Sequence, residues 1–208
     1  MINQTTIAIL LSIPALVTML ISISYWSEFI KEKKRESGEK IKYKKIFLLL
    51  VAYGFFFMWI SWITGIVFLF LNKFYTIYDS LMFSFPYETT IQIIGLVIFY
   101  IGASMYALTI AYTGKYLRPS ISGLSKNHKL ITSGPFRIVR HPLYVSYVIT
   151  LVGLSLTFFI YWILIPAFCV IIGIYPTAKV EEDILIKQFE EEYTKYKQKV
   201  GMFFPKLF

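Results

Sequence analysis

Histidine and cysteine are almost missing from this chain. His128 and His141 are its two histidines, and Cys169 is its single cysteine. A lone cysteine excludes an intrachain disulfide, and so sparse a set offers no ligand group for a structural zinc site. Cys169 sits inside an apolar run and reads as packing. Charge is scarce as well: 16% of the 208 residues are charged and 57% are hydrophobic. Soluble domains carry charge on about a quarter of their residues. The scarcity is also uneven. Residues 2–27, 46–72, 89–114 and 142–178 contain no charged side chain. Uncharged runs of that length define an integral membrane protein, since about 20 apolar residues cross a bilayer. Three nucleotide and hydrolase signatures are absent: a GxSxG elbow, a Walker loop and a GxGxxG turn.

The charge that is present is mostly positive, with 21 lysines and arginines against 12 acids and a net charge of +9. The bases flank the apolar runs instead of forming one broad patch, which points to membrane topology and away from nucleic acid. They cluster in residues 31–45, in residues 115–140 and again in residues 179–208. No base precedes the first apolar run, which is also too long for a cleavable signal. The run from 142 to 178 would make a single helix of about 55 Å, well beyond a hydrocarbon core. Two short helices turning near residues 158–162 fit better. The expected fold is therefore all-α and polytopic. Five transmembrane helices lie near 4–26, 46–71, 90–113, 142–159 and 162–178. The last two form a short hairpin, and an amphipathic cytosolic helix follows over 180–200. The positive-inside tendency then puts the N-terminus outside and the C-terminus in the cytoplasm.

Finer features accompany this plan. Pro14 is expected to kink the first helix. Residues 73–88 read as an external loop in the headgroup region. Gly95, Gly102 and Ala103 offer small surfaces for close helix contact. Val180, Ile184, Phe189, Tyr193, Tyr196 and Val200 recur at near-helical spacing, and Gly201 ends that helix.

Both histidines fall in residues 127–144, where Ser133-Gly134-Pro135 marks a turn and His141-Pro142 marks a helix start. Singly, each feature has a plain explanation. Bases at span ends snorkel to headgroups, His141 caps its helix, and Glu181 and Glu182 solvate the tail. Together they place a turn, an Arg-His-Pro-x-Tyr helix start and a glutamate pair at one membrane face.

The elements in residues 130–144, then Glu181-Glu182, Phe189-x-Glu-Glu-Tyr193, Tyr196 and Phe203-Phe204-Pro205, resemble the isoprenylcysteine carboxyl methyltransferase family. They are similar also to the wider group of membrane methyltransferases that includes phospholipid methyltransferases. The resemblance covers roughly the last 80 residues. It implies an integral membrane enzyme using S-adenosyl-L-methionine and a lipophilic acceptor, with no metal and no nucleic acid. Carried over by motif, His128, Lys129, Leu130, Ile131, Phe136, His141, Pro142, Leu143, Tyr144 and Glu181 would line the cofactor. Arg140, Glu181 and Glu182 would be catalytic, and Lys179 would meet the acceptor. Lys179 enters because the family's usual arginine, four residues before the first glutamate, is Thr177 here. Glu190 stands where the family usually has glycine, at what the sequence presents as an exposed helix position that tolerates it. Phospholipid N-methylation and a non-catalytic membrane scaffold remain open alternatives.

Overall fold

The computed structural model describes residues 1–33, 45–83, 86–113, 130–160 and 163–206. The described residues are helical, with no β-strand among them. The helices are α1 (Gln4–Lys33), α2 (Lys45–Phe70), the short α3 (Phe74–Tyr78), α4 (Glu88–Thr113), α5 (Pro142–Phe158) and α6 (Leu164–Lys199). Four of them, α1, α2, α4 and α6, are long and apolar enough to cross a membrane. α5 is apolar but has only 17 residues, about 26 Å of helix. Its bounds lie close to the first of the two short helices expected over 142–178, and Phe159, which has a left-handed φ of 56°, follows it.

α4 and α5 pack most closely, and small residues explain how. A Cβ on Gly95 would lie 2.7 Å from the Thr157 backbone nitrogen, and one on Gly102 would lie 2.7 Å from that of Thr150. From the other side, a Cβ on Gly153 would lie 2.4 Å from the Phe99 nitrogen. The two helices therefore touch backbone to backbone, the packing mode that suits a medium with no hydrophobic drive between helices. Several polar groups inside the bundle find partners on their own or a neighbouring helix. Thr18 donates to the Pro14 carbonyl at 2.7 Å, and α1 continues through Pro14 without a break. Trp62 donates to the Leu11 carbonyl at 3.2 Å.

Three expectations need correction. First, the expected loop over 73–88 is not simply a loop, since Phe74–Tyr78 form α3 and Asp79–Leu81 a 3-10 turn. Phe74 is buried and its ring lies 4.8 Å from that of Phe158, so α3 plugs one end of the bundle. Second, no boundary separates a fifth span from a tail helix at residues 178–180. α6 passes through Pro176, as membrane helices can, and nothing at Ala178–Val180 stops it. Third, the break lies at Glu190 instead, at φ 44° and ψ −113°, a conformation that favours glycine. Position 190 is thus a backbone corner and not a tolerant helix site. The corner is sharp. Along a straight helix Glu182 and Lys197 would be about 22 Å apart, yet their side chains meet at 2.9 Å. The segment after Glu190 folds back, and Tyr193 packs with Leu185, Ile186 and Phe189.

Candidate active site

The 3-10 turn Gly134–Arg137 precedes α5 and sets the site's geometry. Gly134 has φ 58°, and a Cβ there would strike the Tyr112 ring at 2.6 Å, so glycine is needed on both counts. Phe136 is buried, and its carbonyl accepts from the Tyr196 hydroxyl at 2.5 Å. Val139 then pairs with Gly201 in an isolated β-bridge. The Arg140 amide donates to the Gly201 carbonyl at 2.8 Å, and the His141 amide donates to that of Met202 at 3.1 Å. The returning tail is thereby zipped alongside the residues that open α5.

Those contacts aim two side chains at α6. Arg140 donates through Nε to Glu182 Oε1 at 2.7 Å, and Nη2 lies 2.7 Å from the same oxygen. Its Nη1 donates to the Lys197 carbonyl at 3.3 Å and also to the Val200 carbonyl. Lys197 Nζ lies 2.9 Å from Glu182 Oε2. The Glu182 side chain is 1% exposed. Its charge is therefore sustained by Arg140 and Lys197 and not by water.

His141 stands at the N-cap position of α5 but makes no side-chain cap. Its ring instead faces both glutamates, with Nδ1 3.4 Å from Glu181 Oε2 and Nε2 3.4 Å from Glu182 Oε1. The Nε2 contact lacks hydrogen-bond alignment. The Tyr144 hydroxyl donates to Glu181 Oε1 at 2.7 Å. The Tyr144 ring stacks on His141 at 5.8 Å and 17°, and Phe203 approaches His141 from the tail at 5.8 Å. Phe203 thus folds back onto the site, whereas Phe204 is 81% exposed.

The charged end of α6 lies beyond its apolar stretch, and there the electrostatics are mutual. Burial alone would raise the Glu182 carboxyl, but contacts from His141, Lys197 and Arg140 outweigh it and hold the pKa at about 2. Burial alone would lower His141, but the two carboxylates outweigh it and raise its pKa above the usual histidine range.

Most of the sequence-predicted residues gather here. Arg140, His141, Tyr144, Glu181 and Glu182 form one connected cluster. Pro142 and Leu143 open α5 beside it. Phe136 and Leu130 are buried behind it, Leu130 against Tyr193, Tyr196 and Val200, with Ile131 next in the chain. His128 and Lys129 lie outside the described residues. Lys179 is not brought into the cluster; its Nζ sits 5.7 Å over the exposed Tyr175 ring. Thr177 is buried, and its hydroxyl donates to the Gly173 carbonyl at 2.7 Å. Sequence reasoning missed Lys197, which reaches Glu182 through the corner at Glu190. It also missed the reason for Gly201, where a Cβ would lie 1.9 Å from the Phe204 carbonyl oxygen. Among the described residues, no three histidine, cysteine, aspartate or glutamate side chains gather as a metal site.

Residues 91–192 match the family model described as phospholipid methyltransferase. The matched stretch takes in α4, the Gly134–Arg137 turn, α5 and both glutamates, and it stops just short of Tyr193 and Lys197. Two curated proteins are also similar. One is the cobalt-zinc-cadmium resistance protein CzcN of Cupriavidus metallidurans, 34% identical over 90 residues, covering 42% of this chain and 40% of that protein. The other is the nickel-cobalt-cadmium resistance protein NccN of Alcaligenes xylosoxydans xylosoxydans, 35% identical over 109 residues, covering 50% and 48%. The chain spans less than half the length of either relative. The family match points toward the membrane methyltransferases, and the long apolar helices fit a membrane protein.

Proposed function

We propose that this protein is a membrane methyltransferase that draws its methyl group from S-adenosyl-L-methionine and passes it to a lipophilic or amphiphilic acceptor. The observation that carries this reading is the joint between Tyr144 and Glu181, with His141 stacked on the tyrosine and turned toward both glutamates. The donor set suits the cofactor's parts. A glutamate accepts from an ammonium group or ribose hydroxyls, and the aromatic faces of His141, Tyr144 and Phe203 suit an adenine or a methylated cation. When bound, the cofactor supplies an electrophilic methyl group on a sulfonium sulfur. This chain's residues bind and orient; no protein nucleophile is required, and proximity alone can contribute about 7–11 kcal/mol. In this reading the site faces the cytoplasm and the acceptor enters from the bilayer.

Of the acceptor classes, a nitrogen acceptor such as a phospholipid amine is favoured over a carboxylate. The position that would carry an acceptor-binding arginine holds Thr177, whose hydroxyl is spent on its own helix. The bidentate grip that arginine gives a carboxylate is therefore missing at this position. The test is incubation of purified protein with deuterated-methyl cofactor and native lipid extract, followed by mass spectrometry. A labelled methyl that stays on the lipid headgroup after base treatment is expected. A base-labile ester would move the acceptor to oxygen, and absence of any labelled product with bound cofactor would leave the scaffold reading.

A further inference from the structure

A second feature lies away from the glutamate cluster. An apolar groove of about 1040 Å³ runs along α4. Ile2 and, from α1, Thr6 and Leu10 wall one end, and Gly134, Pro135 and Ile138 close the other. Along α4 it extends from Ile93 to Tyr112, about 28 Å of helix. That matches the roughly 30 Å hydrocarbon core of a bilayer. None of the residues of the Arg140–Glu182 cluster lines it.

Two observations separate this groove from an ordinary lipid-facing helix side. It is concave, because three elements build it, and its floor is braced by the Tyr100 hydroxyl, which donates to the Leu10 carbonyl at 2.5 Å. One of its ends also carries a cationic side chain. The closed end is the turn that carries Arg137, which is exposed and makes no ion pair among the described residues. Residues 130–144 contain no acid, and their other base, Arg140, is already bound to Glu182. An apolar trough that ends at an exposed guanidinium suits an acyl chain whose headgroup bears a phosphate.

We propose that the inner half of this groove, around Ser104, Leu108, Tyr112 and Pro135, holds an acyl chain of one anionic bilayer phospholipid, with its phosphate at Arg137. The lipid is a bound, non-reacting ligand. It braces the same turn whose Phe136 carbonyl receives Tyr196 and whose end aims Arg140 and His141 at α6. This site stands whether or not the protein transfers methyl groups.

The test is lipid retention. Protein purified through extended detergent washing is weighed by native mass spectrometry, and its retained lipid is identified after extraction. Wild type should keep a single phospholipid, enriched in anionic classes relative to the membrane extract. Ser104→Trp fills the groove and should lose it, while Ile63→Trp, on the exposed side of α2, should keep it. Arg137→Gln should keep the lipid but lose the anionic enrichment. Leu108→Trp serves in place of Ser104→Trp if that variant misfolds. A wild type that keeps no lipid, or a zwitterionic one, overturns the proposal. So do equal lipid loads in the groove-filling and α2 variants, or unchanged enrichment in Arg137→Gln. A retained lipid that acquires label from deuterated-methyl cofactor would make it an acceptor and end its role as a non-reacting ligand.

Discussion

The Tyr144 hydroxyl donates to Glu181 Oε1 at 2.7 Å and so ties the first turn of α5 to the charged end of α6. Beside it, Arg140 ties the residue before His141 to Glu182. The two links differ in burial: Glu182 is 1% exposed and Glu181 is 22% exposed. The inner pair holds the architecture, and the outer pair is the more open to solvent.

Tyr144→Phe removes one hydrogen bond to a carboxylate and leaves the ring stack with His141. Bonds to charged groups contribute about 1.5–3 kcal/mol. Binding of S-adenosylhomocysteine should weaken by roughly tenfold to a hundredfold, with the helical circular dichroism unchanged. Isothermal titration in detergent measures it, and unchanged affinity would remove Tyr144 from the site.

Arg140→Ala should act on stability first. It leaves the buried Glu182 carboxylate with only Lys197 and His141 beside it, and removing one partner of a buried pair costs up to about 3–5 kcal/mol. A large fall in the thermal midpoint is expected. Arg140→Ala with Glu182→Gln should recover part of the loss, because the buried carboxylate is then gone and Lys197, 40% exposed, can turn to water. A double variant no better than the single one would contradict the pairing.

The pH dependence has two limbs of opposite sign. Glu182 is held at about 2, below its reference value of 4.5, so its contribution is full above pH 4.5 and is lost as pH falls toward 2. His141 is raised above 6.5, so its contribution is full below pH 6.5 and is lost as pH rises through its folded value. Thermal midpoints across pH should therefore fall on both sides. Glu182→Gln should flatten the acid limb and also weaken the alkaline one, since Glu182 helps to raise His141.

Glu190→Gly should stabilise the protein. Glu190 holds φ 44° and ψ −113°, and such strain costs about 1–3 kcal/mol. Glycine relieves it, whereas Glu190→Ala keeps the Cβ and should not. A rise in midpoint for glycine alone is the expected result; equal behaviour of the two variants would mean the corner is unstrained.

Much of this was readable in the chain itself, and the exceptions have physical causes. Uncharged runs disclosed the long helices because burial in lipid leaves no ambiguity about charge. Gly134-Pro135 and His141-Pro142 disclosed the turn and the start of α5 through backbone chemistry. The small faces of Gly95 and Gly102 were also legible. The continuity of α6 was not, because a charge boundary at Lys179 marks where water begins and not where a helix ends. The corner at Glu190 was hidden by a residue type that suits a helix. With it went Lys197, whose distance from Glu182 in sequence gives no hint of contact. The burial of Phe74 was equally silent, since aromatic residues near an apolar run serve an interface or a core equally well.

The central claim is that a methyl-donor cofactor sits at the joint of Tyr144 and Glu181. It is tested most directly by the thermal midpoint of the purified protein with and without saturating S-adenosylhomocysteine, for wild type and Glu181→Gln. A ligand that binds only the folded state raises stability by about 2.7 kcal/mol at a hundred times its dissociation constant. A clear rise in wild type that largely vanishes in Glu181→Gln, each measured from its own ligand-free midpoint, is the predicted result. No rise in wild type, or the same rise in both, would contradict it.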